Sequence, residues 1–485
     1  MFVDKRDLGI VKTYTRLSTH MHVLIVIACL CVVAAAQVQT DMVAGTPLTG
    51  GPDPAVVAAA LAKMPRVDDP RGVNMLAITT AQAIIDHNMV LTPGNEEDCH
   101  RIPEGLDYFE GVACIPFKKV GPTPINTMPT PLLRAFFVYG SGERGEALRD
   151  GDYLLVDKYN MPMRAGVLNV TVDGENPDIQ FAVGDPRGGE TSFLTAIHTV
   201  FVRRHNQLIN LGYSFEEAKL ILENEVDKII FEELLPALIG PYASCDEVPN
   251  VDQVDKSFSG AIFRIHSMIN DAVIDRLSLY GVDSLRDVFF DPTPIENLNG
   301  NLEPLIRSMY KTPAFADNAA MVDTLNRFLF HPLAHSLAVL NLVRGQDFEL
   351  SDFNSARVAV GLAPYLTFAE FVDTPQVLEM LEALYPGGPN TCPIWLCTRA
   401  EKNVEGSSMG ETASTWIRGQ LCGLRRPLDT PLRTPDSFST ILCQTTNACD
   451  FKDNPFLGTG SDTSTLYSLI VIALVLLTIA GATFL

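Results

Sequence analysis

Apolar residues recur at intervals of three and four along most of the middle of the chain. The pattern runs through 194–209, 215–235, 258–277, 302–310, 321–342 and 374–384, and each stretch reads as one buried face of a helix. Alternation at period two is scarce, so the expected fold class is mainly α. Stretches rich in Pro and Gly at 41–54, 121–131, 386–393 and 425–435 are short enough to be loops within one domain. No internal repeat or low-complexity linker divides the pattern.

The two ends depart from it. Lys5, Arg6, Lys12 and Arg16 precede an apolar run over 23–36 that closes on Ala34-Ala35-Ala36, the small-residue pattern that signal peptidase accepts. The expected organisation is a signal peptide over 1–36, a single domain over 37–457 and a C-terminal hydrophobic segment over 458–485. Residues 466–485 carry no charge and are long enough to cross a bilayer. With Gly458, Gly460 and Ser461 ahead of them and no Lys or Arg behind, they read as a lipid-anchor signal or else as a bare span. Both readings place the domain in the secretory pathway, held to a membrane by its tail.

Composition narrows the class. The 485 residues are 47% hydrophobic and carry a formal net charge of −22, which supplies ample material for a core and excludes a disordered chain. The acidic balance also argues against a nucleic-acid partner, because phosphate neutralisation needs clustered Lys and Arg. Of ten cysteines, Cys29 and Cys31 leave with the leader, and the even remainder suits an oxidising compartment. Cys99 and Cys114 are close enough to pair; the connectivity of Cys245, Cys392, Cys397, Cys422, Cys443 and Cys449 is not deducible from spacing. Zinc is disfavoured, because Cys392-x4-Cys397 has no second pair at ligand spacing. The sequon Asn169-Val170-Thr171 agrees with secretion.

Candidate chemistry begins with polar residues inside apolar helical text. His87 closes the run Gln82-Ala83-Ile84-Ile85-Asp86-His87, and His266 lies in Ala261-Ile262-Phe263-Arg264-Ile265-His266-Ser267-Met268-Ile269. A buried histidine needs a partner or a role. Either alone reads as a satisfied core residue; two on separate helices with a metal between them permit a haem pocket. The segment Gly184-Asp185-Pro186-Arg187-Gly188-Gly189-Glu190 is a fixed bend before the helix of His198, and it aims Arg187 and Glu190. By itself it also reads as a helix start with an acid in the first turn. His331 and His335 have the spacing of a metal pair, but Pro332 intervenes and no third ligand is evident, so they read as structural. Trp395 and Trp416 read as packing residues.

In order, QAIIDHNMVLTP, RAFFVYGS, GDPRGGETSFLTAIHTVFVRRHNQLI, FRIHSMI and LNLVRGQDFELSDFNSARVAVGL resemble the animal haem peroxidase family, from about Asn74 to Gly423. The resemblance implies that family's fold, with haem b between a distal helix ending in His87 and a proximal helix carrying His266. It makes His87 the distal histidine, which takes a proton from hydrogen peroxide and returns it to the leaving oxygen, and Arg187 the guanidinium that stabilises the charge developing there. It makes His266 the axial ligand of the iron and Asn354 the residue that fixes its second ring nitrogen. Asp86 and Glu190 stand where the family's carboxylates form esters with the haem; Thr191 follows Glu190, so a methionine sulfonium link is not expected.

Several positions depart from the family pattern. The calcium site beside the distal helix would take Asn88 and the loop Thr130-Pro131-Leu132-Leu133-Arg134-Ala135-Phe136, where Arg134 replaces a carboxylate and Phe136 a hydroxyl, so calcium is expected to be lost and Arg134 to meet Asp86 or a nearby acid. The family's pocket glutamine falls at Ala83, with Gln82 one step away and turned by about 100° on a helix, which puts halide oxidation in doubt. Ile265 stands in place of a glycine. Phe263 occupies the position of the radical tyrosine of fatty-acid dioxygenases, and phenylalanine has no phenolic hydrogen to give. The implied function is therefore reduction of hydrogen peroxide with oxidation of small donors, phenols first and thiocyanate or iodide next, through an oxoferryl intermediate. The alternative is a catalytically degenerate surface or adhesion protein of the same fold.

Overall fold

Eleven α-helices of seven residues or more carry the architecture among the described residues: α1 (Pro54–Leu61), α2 (Met75–Ile84), α3 (Ser192–Asn210), α4 (Phe215–Lys228), α5 (Glu303–Lys311), α6 (Leu337–Asp347), α7 (Phe353–Ala359), α8 (Pro375–Leu384), α9 (Ile394–Ala400), α10 (Glu411–Leu424) and α11 (Phe438–Thr446). Two antiparallel ribbons accompany them, β1 (Glu97–Arg101) with β2 (Cys114–Lys118) and β3 (Arg149–Asp150) with β4 (Tyr153–Leu154). The computed structural model describes residues 46–88, 97–119, 134–173, 176–241, 244–274, 285–329, 335–425 and 431–458. The leader, the hydrophobic tail, His331, residues 130–133 and the side chain of Asn88 lie outside the described residues. The class is mainly α, as the periodicity implies.

Helix α3 is the axis of the core. It packs against α2, α4, α5 and α11 and is buried on every side. Thr191 caps it by accepting the Leu194 N–H. Its buried polar residues each hold a separate loop, as buried polar groups must. The Arg203 guanidinium donates to the carbonyls of Asn160, Thr445, Tyr159 and Gly300. Arg204 is buried against Glu225 of α4 and Asp436, and the Asn206 amide closes on both backbone groups of Leu154. A capping box at Ser214 and Glu217 then starts α4.

Within the predicted helix 258–277, the described residues 258–274 depart from a continuous α-helix. They fold as a π-helical turn over Phe258–Ile262, an irregular link, and short 3-10 turns at His266–Met268 and Asp271–Ile274. Side chains take the carbonyls that a helix would use: Arg264 Nε donates to Ser259, Arg399 Nη2 to Ile262, and Trp395 Nε1 to Arg264. Arg399 and Trp395 both come from α9, so this interruption is imposed from more than a hundred residues away.

Four disulfides tie the periphery. Cys99–Cys114 clasps the β1–β2 ribbon, Cys392–Cys397 and Cys443–Cys449 are local, and Cys245–Cys422 spans 177 residues. A cross-link of that span removes roughly 5 kcal/mol of loop entropy from the unfolded chain. Elsewhere Glu233, buried beside α11, accepts the Phe438 N–H, and burial pushes its carboxyl up to about 7. The folded chain then holds a proton that the unfolded chain releases near 4.5. Its contribution is full below about pH 4.5 and falls by roughly 3 kcal/mol as pH rises through 7. In urea unfolding between pH 5 and 8, Glu233→Gln should flatten that part of the profile.

Candidate haem site

A cavity of about 640 Å³ opens between α2, the Gly184–Glu190 bend and the segment that carries His266. Its polar lining is Gln82, Asp86, Asp185, Arg187 and Glu190 from the first two elements, with Arg264, His266 and Arg344 from the proximal side. Thr79, Asp173 and Thr191 also line it, and the rest, including Phe136, Ile269, Phe289, Leu325 and Leu337, is apolar.

Helix α2 begins at the cap Asn74, whose side chain accepts the Ala77 N–H, and ends at Ile84. A 3-10 turn, Asp86–Asn88, follows it. In this arrangement Gln82 faces the cavity while Ala83 is fully buried. Gln82 Nε2 donates to Glu190 Oε2 at 2.9 Å. The step of one residue therefore does not remove the glutamine from the pocket, contrary to the sequence expectation.

The bend works as a clamp on Arg187. Asp185 caps the short turn Pro186–Gly189 and accepts from the Arg187 backbone N–H at 2.8 Å and from Nε and Nη2 at 2.9 Å each. Arg187 Nη1 reaches Asp86 Oδ2 at 3.1 Å and Nη2 reaches the Asp86 carbonyl at 3.1 Å. Burial alone would weaken this cation, but Asp185 and Asp86 overcome it and hold the guanidinium above its ordinary range. In turn, and against its own burial, Arg187 holds Asp185 below the usual carboxylate range. The close approach needs glycine at 184, where a Cβ would lie 2.2 Å from the Phe136 carbonyl oxygen. The cation that meets Asp86 is thus Arg187 and not Arg134. Glu190 is pushed up to about 8 by burial, so its carboxyl is protonated near neutral pH.

His87 lies behind this wall. Its ring is fully buried, is not part of the cavity lining, and sits with Nδ1 3.0 Å from His198 Nε2 and 3.9 Å from Asp185 Oδ1. Its Nε2 has no hydrogen-bond partner among the described residues. Burial, then Arg187, lowers its pKa to about 3.

His266 does line the cavity, and burial, then Arg264 and Arg399, lowers its pKa to about 3, so the ring is neutral, as a metal ligand must be. Its Nδ1 lies 3.2 Å from the side-chain amide of Asn341 on α6. Asn354 does not support His266: it bonds to both backbone groups of Tyr365 and to Asn390 Oδ1. The helical frame explains the exchange, because Asn341 is a buried polar residue within the apolar text Leu337–Val343, while Asn354 begins the next helix and closes its own loop. A buried amide inside an apolar helix face was the signal that could have found Asn341. Behind His266, Ser267 Oγ donates to Asp317 Oδ1 at 2.6 Å, and Asp317 pairs with Arg399 at 2.6 Å, both fully buried. Asp317→Ala should cost about 3–5 kcal/mol in urea unfolding by stranding Arg399, and Asp317→Leu with Arg399→Met should recover most of it.

The residues present fit a haem. One neutral imidazole lines the cavity and would ligate an iron, two guanidiniums, Arg264 and Arg344, line it as partners for carboxylates, and the apolar lining would receive a macrocycle. Ligation through His266 Nε2 requires the proton on Nδ1, and a half-turn of the Asn341 amide presents Oδ1 to accept it. Phe263 lines the cavity stacked on Phe258, with centroids 5.2 Å apart.

Fold and cavity together define a helical protein with a large, mostly apolar cavity that one neutral histidine lines. Across protein families, animal haem peroxidase matches residues 35–427. The chain belongs to the animal haem peroxidase family. Among curated proteins it is 28% identical to peroxinectin A of Dictyostelium discoideum over 48% of this chain and 47% of that one, and 27% identical to the peroxidasin homolog of Mus musculus over 58% and 22%. The chain thus spans about half the length of the first of these relatives and less of the second. Among solved structures it resembles peroxidase A of Dictyostelium discoideum, with a TM-score of 0.72 at 21% identity over 85% of this chain and 93% of that one. A fatty acid alpha-dioxygenase of Arabidopsis thaliana gives a TM-score of 0.70 at 15% identity over 86% and 79%. Likeness at these identities is a likeness of fold.

Proposed function

We propose that the chain is a haem peroxidase that reduces hydrogen peroxide and oxidises small donors, phenols first. The observation that carries this reading is that His266 and the Asp86–Arg187–Asp185 clamp share one cavity. Bound haem supplies the redox chemistry. His266 would hold the iron, Asn341 orients His266, and Arg264 with Arg344 would meet the carboxylates of the macrocycle. Arg187, fixed by two carboxylates, offers a preorganised positive charge to an oxygen that becomes anionic as the O–O bond breaks. His87 Nε2, with a free lone pair, takes the proton from the incoming peroxide and returns it to the leaving oxygen.

Gln82 and the neutral carboxyl of Glu190 give the pocket hydrogen-bond donors, so thiocyanate and iodide belong among the donors to be tested. Asp86 and Glu190 line the same cavity, and an ester link to haem through either would replace the role given to it here. In this reading calcium is dispensable, since Phe136 lines the cavity and Arg187 supplies the charge beside Asp86. Four disulfides and an exposed Asn169 at the sequon support passage through the secretory pathway. Release from cells by a phospholipase specific for lipid anchors would separate an anchor from a span.

The second reading, a haem binder whose distal side is idle, is favoured by one observation: His87 stands outside the cavity lining. The deciding experiment is turnover of the haem-loaded full chain with hydrogen peroxide and a phenol, thiocyanate or iodide. Peroxide-dependent oxidation, reduced about 10²–10³-fold in Arg187→Leu, supports the enzyme. Full haem occupancy without turnover supports the idle binder.

A further inference from the structure

His198 sits in the middle of α3, fully buried and outside the cavity lining, yet it is the residue that touches His87. Hydrogen-bond direction decides what it does there. His198 Nδ1 lies 3.1 Å from the carbonyl oxygen of Phe137. A carbonyl only accepts, so His198 carries its hydrogen on Nδ1 and, being neutral, has a bare Nε2. That bare nitrogen faces His87 Nδ1 at 3.0 Å, so His87 Nδ1 must be the donor. The lone pair of His87 is then confined to Nε2, the nitrogen without a hydrogen-bond partner among the described residues.

The charged groups around His87 do not compete for that arrangement. Asp185 is 3.9 Å from Nδ1 and already accepts three bonds from Arg187, and Asp86 is paired with Arg187 as well. Burial lowers the pKa of His198 to about 4 and that of His87 to about 3, so both rings stay neutral near pH 7.

We propose that His198 is a positioning residue: the relay from His87 through His198 to the Phe137 carbonyl locks His87 in the Nδ1–H tautomer and keeps Nε2 as its basic nitrogen. The relay stands on geometry alone; its catalytic use rests on the peroxidase reading. A base must present a bare nitrogen to the proton it takes, and a ring free to exchange tautomers would present a protonated one part of the time.

The test uses the full chain labelled with [15N]histidine, both haem-free and as the diamagnetic ferrous–carbonyl form, with His87→Gln to assign the resonances. The expected result near pH 7 is a protonated Nδ1 and a bare Nε2 on His87. His198→Phe, which keeps a ring but offers no acceptor, should mix or reverse the tautomers. His198→Gln, whose Oε1 accepts and Nε2 donates, should restore them. Wild-type His87 protonated at Nε2, or a tautomer unchanged in His198→Phe, overturns the relay. In peroxide reaction followed by the Soret band, His198→Phe should be about 10²-fold slower and His198→Gln within a few-fold of the parent. Equal rates for all three would overturn the catalytic use of the relay. A parent that never reacts, with the tautomer result intact, would instead sink the peroxidase reading and leave the relay standing.

Discussion

Replacing His266 by alanine is expected to weaken haem binding by at least about 100-fold, the upper end of what loss of a supporting partner alone costs at a metal site. The ring is the imidazole donor that faces the cavity among the described residues, and the apolar lining that remains gives a macrocycle contact without a bond to its iron. Asn341→Leu should weaken binding by roughly 10–100-fold and shift the spectrum of what does bind, because His266 loses the group that orients it. Asn354→Leu separates the two asparagines. Its bonds go to Tyr365 and Asn390, so it should lower stability and leave haem affinity near that of the parent. Haem titration of the three variants reads all of this; an Asn354 effect larger than the Asn341 effect would reverse the assignment.

His87→Ala is expected to slow the reaction with peroxide by about 10²–10⁴-fold, the range attributed to a positioned general base, while haem content stays at the parental level. The variant removes a ring that does not line the cavity, so the residues that would receive haem stay in place. Stopped-flow mixing with peroxide measures it. A parental rate in His87→Ala would move the proton chemistry to the carboxylates of the cavity wall, with the neutral Glu190 first among them.

The long helices were legible because their periodicity is strong and their caps are local, as in α3 with Thr191 and α4 with its Ser214 box. Arg187 and Glu190 were legible for a related reason, since the bend that aims them is written in consecutive residues. What could not be read were the decisions made across the fold. The break within 258–274 is set by donors on α9. The resemblance makes Asn354 the partner of His266, whereas the residue at its Nδ1 is Asn341, in the apolar face of α6. Gln82 looked misplaced on an ideal helix, yet α2 ends two residues later and its side chain reaches Glu190. His198 lies in ordinary helical text, and only the acceptor at Phe137 shows how it is protonated.

The central claim is that the cavity binds haem through His266 and activates peroxide against Arg187, with His87, behind its wall, as the base. The most direct measurement is the absorption spectrum of the haem-loaded protein before and after one equivalent of hydrogen peroxide. The account predicts a Soret band that shifts on addition and returns when a phenol is supplied. A Soret band that peroxide leaves unchanged would contradict it.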